Sequence, residues 1–300
     1  DSLITGHKAS VLGGKLYIGD LRDEPFLARV FQENELDAVI HFAASSLVGE
    51  SMTVPGKYYD NNVYGTLCLL EMMRKHEVGR IVFSSTAATY GEPERVPIME
   101  NDRTQPTSVY GETKLAMERM IRWYETAHGI RSVALRYFNA AGAHPSGAIG
   151  EDHRPESHLI PLILQVPLGQ RAHIAVFGDD YPTEDGTCIR DYIHVMDLAD
   201  AHLLALKRLR EGGGSAIYNL GNGTGFSVKQ VIDIARQVTG HAIPAVIQPR
   251  RPGDPAVLVA SSERARQELG WNPRYADLEK IITDAWNWHR NHPEGYHDAE

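Results

Sequence analysis

Tyr110-Gly-Glu-Thr-Lys114 is the segment of this sequence best equipped to do chemistry. Residues four apart on a helix share one face, so a phenol and an ammonium would stand side by side there. A neighbouring ammonium favours the phenolate and moves a Tyr pKa towards neutrality. Such a Tyr can take or return the proton of a hydroxyl. The spacing alone is a weak signal, because many helices carry such a pair on an ordinary surface. Its context adds weight. Upstream, an apolar run from Arg80 ends in Ser84-Ser85-Thr86-Ala87-Ala88-Thr89-Tyr90-Gly91, and downstream Leu135-Arg136-Tyr137-Phe138-Asn139 again ends in polar groups. Hydroxyls at the carboxyl end of a parallel strand sit where open α/β sheets bind ligands. Thr86, Tyr110 and Asn139 are therefore expected at one sheet edge.

The elements that must position them alternate. Strand-like runs at Lys15 to Ile18, Asp37 to Ala44, Arg80 to Ser85 and Arg131 to Phe138 are separated by helical spacing over Pro25 to Asn34, Asn61 to Glu77 and Tyr110 to His128. Gly129 is placed to close the last helix. This alternation predicts a parallel sheet with helices on both faces. Beyond Gly142 the pattern loosens. A Gly- and Pro-rich loop runs to Pro155, followed by a short helix from Leu159, strands at His173 to Phe177 and Ala216 to Leu220, and helices at Asp197 to Leu209, Ser227 to Thr239, Ser261 to Gly270 and Asp277 to Asn291. Asp179 to Asp185 reads as a solvated acidic turn. Two lobes are expected, 1–142 and 143–300, with segments near 187–210 returning to the first.

Composition narrows the function classes. At 300 residues and 42% hydrophobic, the chain can bury a large core. A formal net charge of -9 argues against nucleic acid, whose affinity needs basic clusters. Cys68 and Cys188 are too few and too separated for a disulfide framework and read as reduced thiols of a cytoplasmic protein. The 14 histidines include no HExxH and no paired ligand spacing, so no metal site is expected. No apolar run approaches the ~20 residues a membrane helix needs. Asn222-Gly-Thr matches a glycosylation acceptor but reads as a turn.

The ordered set GDLRD (Gly19 to Asp23), VIHFAA (Val39 to Ala44), YYDNNVYGT (Tyr58 to Thr66), FSSTAATYG (Phe83 to Gly91), YGETK and LRYFNAAGAH (Leu135 to His144) resembles the extended short-chain dehydrogenases. Phe177 to His202 and Tyr218 to Val228 narrow the resemblance to the UDP-galactose 4-epimerases, and it covers essentially the whole chain. It implies an α/β fold: a Rossmann-type doubly wound parallel sheet with a smaller C-terminal α/β lobe for the nucleotide sugar. It also implies NAD as cofactor, a UDP-sugar as substrate, a place in galactose metabolism, and a homodimer formed through the helices beginning near Asn61 and Tyr110. Tyr110 would be the acid/base, Lys114 would hold the nicotinamide ribose, and Thr86 would orient the sugar hydroxyl. In that family the 4-hydroxyl is oxidised, the 4-keto sugar turns over in the pocket, and hydride returns to its opposite face.

By the same resemblance, Asp1, Asp20, Leu21, Phe42, Ala43, Ala44, Asn61, Ser84 and Phe138 fall on cofactor positions. Asn139, His158, Leu159, Phe177, Arg190, Arg251, Asp254 and Leu258 fall on substrate positions, with the two Arg on the UDP pyrophosphate and Asp254 on the ribose. The chain departs from the family at several points. Ser46 stands where some members carry a Lys, and His158 where many carry an Asn. Leu258 replaces the Tyr of stricter members near the sugar's 2-substituent, which implies that N-acetylated sugars are admitted. The Gly-rich turn that cradles the pyrophosphate does not occur, and a preceding βα unit of ~30 residues is expected ahead of Asp1. A 4,6-dehydratase shares the Tyr/Lys pair, but it needs an Asp-Glu pair after the catalytic Thr, where this chain has Ala87-Ala88. A decarboxylating relative, an epimerase of another UDP-sugar, and a non-catalytic dinucleotide-sensing regulator are the remaining readings.

Overall fold

The computed structural model describes residues 1–251 and 254–297. Asp23 begins the first helix, α1 (Glu24–Gln32), by accepting a hydrogen bond from the Phe26 amide. The apolar run after it yields β1 (Val39–His41), shorter than its sequence suggests because the chain leaves the sheet at Phe42. Two short helices follow, α2 (Val48–Thr53) and α3 (Pro55–Tyr58). The helix expected from Asn61 divides into a π-helical turn (Tyr59–Tyr64) and α4 (Gly65–Lys75). π-turns inside helices recur at functional sites.

The next segments match their sequence signals closely. β2 (Arg80–Ser84), α5 (Val109–His128) and β3 (Arg131–Tyr137) form one βαβ unit. Gly129 ends α5 at φ 72°, a conformation that Gly adopts without a Cβ penalty. Short elements come next: β4 (Asn139–Ala141), α6 (Leu159–Leu164), β5 (Ile174–Phe177), β6 (Ile189–Arg190) and β7 (Tyr192–His194). Then follow α7 (Val195–Arg210), β8 (Ala216–Leu220), β9 (Phe226–Ser227) and α8 (Val228–Thr239). The chain closes with β10 (Ala245–Gln248), β11 (Val257–Leu258), α9 (Glu263–Leu269) and α10 (Leu278–Asn291). The two-residue strands carry no periodicity of their own and were not legible in the sequence. Lys15 to Ile18, expected as a strand, is not a regular strand; its backbone bonds across to Asp1 at Tyr17 O and Gly19 N.

The main sheet runs β1-β2-β3-β8, all parallel. Alternate strand residues sort to opposite faces. Ile81, Phe83 and Ala134 pack with Leu70, Met73, Met117 and Ile121 of α4 and α5. Val82, Val133 and Leu135 pack with Leu198, Ala201 and Ala205 of α7 and with Ala265 of α9. This is the doubly wound arrangement that alternation predicts. A third core joins Ile163, Val176, Val231, Ile232, Ile281 and Ile282. Smaller sheets pair β10 with β5, β6 with both β11 and β9, and β4 with β7. No helix among the described residues is long and apolar enough to cross a membrane.

One ion pair is sealed between α5 and β3. Arg136 and Glu118 are 3% and 9% exposed, and they meet through two hydrogen bonds, from Nε to Oε1 at 2.9 Å and from an NH2 group to Oε2 at 2.5 Å. Removing one partner of such a pair leaves a buried charge alone. Glu118→Ala should therefore lower stability by about 3–5 kcal/mol in urea unfolding, whereas Arg74→Ala, which breaks an exposed pair with Glu71, should cost under about 1 kcal/mol. Equal losses from the two variants would contradict this account.

Candidate active site

Three consecutive residues at the end of β2 each face a residue of α5. Lys114 Nζ donates to the Ser84 carbonyl at 2.9 Å. Ser85 Oγ donates to Glu118 Oε1 at 2.5 Å. Thr86 lies near enough to the Tyr110 phenol to favour its ionised form slightly. Positions 110, 114 and 118 recur every four residues, so one helix face meets the strand end.

Local interactions fix where that face begins. Ser108 caps α5 by accepting from the Gly111 amide at 3.1 Å, and Ser51 Oγ accepts from the Tyr110 amide at 3.1 Å. A Cβ on Gly111 would lie 2.6 Å from the Ala88 carbonyl oxygen. Only glycine lets the helix start lie against the Thr86 turn, where Thr86 Oγ1 also accepts from the Ala88 amide at 3.1 Å.

Burial controls the electrostatics. Desolvation, helped by Tyr137, holds the half-buried Tyr110 phenol well above its ordinary 10.0, with Thr86 pulling weakly downward. Lys114 is 3% exposed, and burial brings it down to about 8 against the pull of Glu118. The sequence reading expected Lys114 to draw Tyr110 towards neutrality; in the cofactor-free protein it does not. Lys114 Nζ is 6.0 Å from the Tyr110 ring centre and is committed to the Ser84 carbonyl, so desolvation prevails over attraction.

A polar chain that the sequence reading missed lies behind this pair. His202 Nδ1 is 2.7 Å from the Leu198 carbonyl, which can only accept, so that nitrogen carries the proton. Burial keeps the ring neutral, leaving Nε2 as an acceptor for Ser84 Oγ at 3.3 Å. Ser84 Oγ in turn accepts from the Tyr137 hydroxyl at 2.5 Å. Phe42, 60% exposed at the end of β1, has its ring 4.7 Å from that of His202. Ala43 is exposed and Ala44 half-buried beside it. Asn62, fully buried and also missed, ties the following loop to α5: its Oδ1 accepts from the Ser45 amide at 2.7 Å and its Nδ2 donates to Thr113 Oγ1 at 3.1 Å. The predicted Asn61 donates to Ser45 Oγ at 3.2 Å.

A second group gathers the predicted substrate residues. Arg190 bonds Asp254, and its other amino group donates to the Ile189 carbonyl at 2.8 Å. Arg251 lies 4.0 Å over the Phe177 ring. Leu258 pairs in register with Arg190. It also packs, with Phe138, against Ala87, Tyr90 and Ile98, so it touches the turn that follows Thr86. Asn139 donates from both its backbone nitrogen and Nδ2 to the Asp191 carbonyl, at 3.2 and 3.1 Å. The buried Asp191 carboxylate accepts from the amides of Asn222 and Ala260, and burial raises it to about 6.

The remaining predictions are less concentrated. Gly19 N donates to Asp1 O at 2.9 Å, placing Asp1 beside the Asp20 turn. The Asp20 carboxylate accepts from Arg22, which holds its pKa down, and Leu21 packs towards the core around α4. Leu159 opens α6 and packs on the third core. His158 is turned to Glu151 rather than to a free donor position.

The site offers an exposed aromatic platform at Phe42, a buried amine at Lys114 and carboxylates at Asp1 and Asp20. Such a set fits a dinucleotide laid along the sheet edge. No carboxylate follows Thr86; Ala87 and Ala88 occupy those positions.

Comparison with known proteins follows the same line. Residues 6–285 match the family described as GDP-mannose 4,6 dehydratase. The UDP-glucose 4-epimerase of Halalkalibacterium halodurans is 61% identical over 296 residues, spanning 99% of this chain and 89% of that protein. A solved structure of a UDP-glucose 4-epimerase superposes with a TM-score of 0.97 at 60% identity, covering 99% of this chain and 90% of the other. The Bifidobacterium longum UDP-glucose 4-epimerase, solved in complex with NAD+ and UDP, superposes with a TM-score of 0.93 at 42% identity, covering 99% and 91%.

In the cofactor-free protein Tyr110 should stay protonated beyond its ordinary 10.0, and Lys114 should lose its proton near 8. Ultraviolet difference titration of wild type against Tyr110→Phe reads the first, and NMR of labelled lysine reads the second. A phenolate signal from Tyr110 below pH about 9 would refute the desolvation argument. A lysine pKa lowered on folding also makes stability rise with pH between the folded value of about 8 and the ordinary 10.5.

Proposed function

The chain belongs to the UDP-glucose 4-epimerases of the extended short-chain dehydrogenase family, and from that membership we propose how its own residues divide the work. The protein is an NAD-dependent isomerase that interconverts UDP-galactose and UDP-glucose. The observation that carries the assignment is the placement of Lys114, one helical turn from Tyr110 and bonded at 2.9 Å to the carbonyl of Ser84, two residues before Thr86.

Tyr110 takes the proton of the sugar 4-hydroxyl and later returns it, with Thr86 orienting that hydroxyl by hydrogen bonding. NAD, when bound, would supply the hydride acceptor and donor for C4 of the sugar. Lys114 holds the nicotinamide ribose and supplies the positive charge that favours the Tyr110 phenolate once the site is filled. Ser84, Phe42, Ala43, Ala44, Asn61 and Phe138 line the nicotinamide and pyrophosphate side, and Asp1, Asp20 and Leu21 the adenosine side. Arg190 and Arg251 neutralise the UDP pyrophosphate, Asp254 exchanges its bond to Arg190 for the ribose, and Phe177 bounds the uridine. Asn139, Leu159 and His158 complete the pocket wall. Anchoring through UDP leaves the hexose free to turn over between the two hydride steps.

We read residues 1–142 as the cofactor lobe and 143–300 as the nucleotide-sugar lobe, with the segment near 187–210 returning to the first. The core around α8 and α10 and the packing of α7 on the main sheet support this division. A homodimer is supported by exposed aromatics on the expected helices: Tyr59, Tyr64 and Trp123 are 45%, 46% and 71% exposed. Two buried free cysteines accord with a cytoplasmic setting.

A wider substrate range is a second reading, favoured by Leu258. It stands beside Arg190 and against Phe138, and a leucine leaves more room there than a tyrosine.

With NAD present, Tyr110→Phe should reduce conversion of UDP-galactose by about 10²–10⁴-fold. Retention of more than a tenth of wild-type kcat would remove Tyr110 from its role. For the second reading, wild type should turn over UDP-N-acetylgalactosamine and Leu258→Tyr should lose that activity while keeping UDP-galactose. Absence of N-acetyl turnover in wild type would end it.

A further inference from the structure

The loop ahead of α6 brings together four side chains, of which only His158 has a place in the pocket wall. Glu151, His153, Glu156 and His158 each offer one donor atom, and these atoms all lie within 4.8 Å of one another. His153 Nδ1 is 3.1 Å from Glu151 Oε1 and 3.7 Å from Glu156 Oε2, and His158 Nδ1 is 3.7 Å from Glu156 Oε1 and in close contact with Glu151 Oε1. Zinc bonds to His nitrogen and carboxylate oxygen run about 2.0–2.2 Å, so the edges of a zinc tetrahedron are about 3.3–3.6 Å. His153 Nδ1 thus stands about one such edge from an oxygen of each glutamate.

The donors are also oriented. His153 Nδ1 is buried, and its approach to Glu151 does not meet hydrogen-bond geometry, so it has no hydrogen-bond partner. Glu156 has a side chain only 7% exposed. Its Oε1 accepts from the amides of Ser157 and His158, at 2.7 and 2.8 Å, which turns Oε2 towards His153. The loop backbone is fastened from outside. Trp288 Nε1 donates to the Glu151 carbonyl at 3.0 Å, and the Tyr296 amide donates to Asp152 Oδ2 at 2.9 Å. Such outer bonds are what hold metal ligands in register. Two imidazoles with two carboxylates favour zinc over magnesium or calcium, which prefer all-oxygen cages.

We propose that Glu151, His153, Glu156 and His158 bind one Zn2+, which clips the loop leading into α6. The pattern E-x-H-x-x-E-x-H was overlooked in the sequence because it matches no common zinc signature, and the sequence reading expected no metal. The site is structural: four protein ligands fill a tetrahedron and leave no open position for chemistry. It would hold His158 and, through α6, Leu159 in place at the pocket wall.

The test uses the NAD-loaded protein, stripped with a chelator and titrated with zinc against a competing dye, with cobalt as a spectroscopic substitute. Wild type should take up about one equivalent and show the strong visible bands of four-coordinate Co2+. His153→Ala/His158→Ala should bind at least about 100-fold more weakly and lose those bands. Glu156→Gln, a gentler change, should weaken binding while far-ultraviolet circular dichroism confirms an intact fold. Failure of wild type to bind zinc, or equal uptake by wild type and the double variant, would overturn the proposal and leave a set of His–Glu ion pairs.

Discussion

The registry between one face of α5 and the end of β2 is the constraint on which the site depends. Tyr110, Lys114 and Glu118 meet Thr86, Ser84 and Ser85 through one phenol, one amine and one carboxylate. A slip of the helix by one residue would rotate all three away together, because helix faces repeat only every three to four residues. The registry is pinned from several sides. Gly111 allows close approach to Ala88, Ser108 and Ser51 hold the helix start, and Arg136 anchors Glu118 from β3. Positional accuracy at the reacting atoms thus comes from groups that need never touch substrate.

The same packing sets the charge state. Burial opposes both the ammonium of Lys114 and the phenolate of Tyr110: the phenol is held protonated, while the lysine, brought down to about 8, still carries most of its charge at neutral pH. A catalytic base near neutrality needs a positive charge within reach and little water.

The nucleotide-sugar side is held by a different device. Asp191 is buried where β7 follows β6, and its carboxylate accepts amide protons from the Asn222 and Ala260 segments while its carbonyl receives Asn139. Three chain segments that diverge in sequence are thereby fastened around one residue. Arg190, next to it, pairs with Asp254. That pair holds two charged groups in one arrangement beside Asp191.

How far the sequence reached can be judged residue by residue. The βαβ unit from Arg80 to Tyr137 was legible because its strands are continuous apolar runs and its helix has both a Ser cap and a Gly stop. Tyr110, Lys114 and Thr86 were legible because helix periodicity and strand-end position are local properties. The short strands β4, β6, β7, β9 and β11 were not, since two or three residues hold no periodic signal and exist only through their partners. Tyr137, His202 and Asn62 were likewise hidden: each is an ordinary residue until distant segments place it against Ser84 or Ser45. The pKa order was also beyond the sequence. Spacing alone argues that Lys114 lowers Tyr110, but the direction of both shifts follows from desolvation, which is a property of everything packed around a group. The sequence by itself determined which residues could react and on which elements they ride. Tertiary structure decided which of them meet and in what charge state, because hydrogen-bond geometry and burial are set by atoms far apart along the chain.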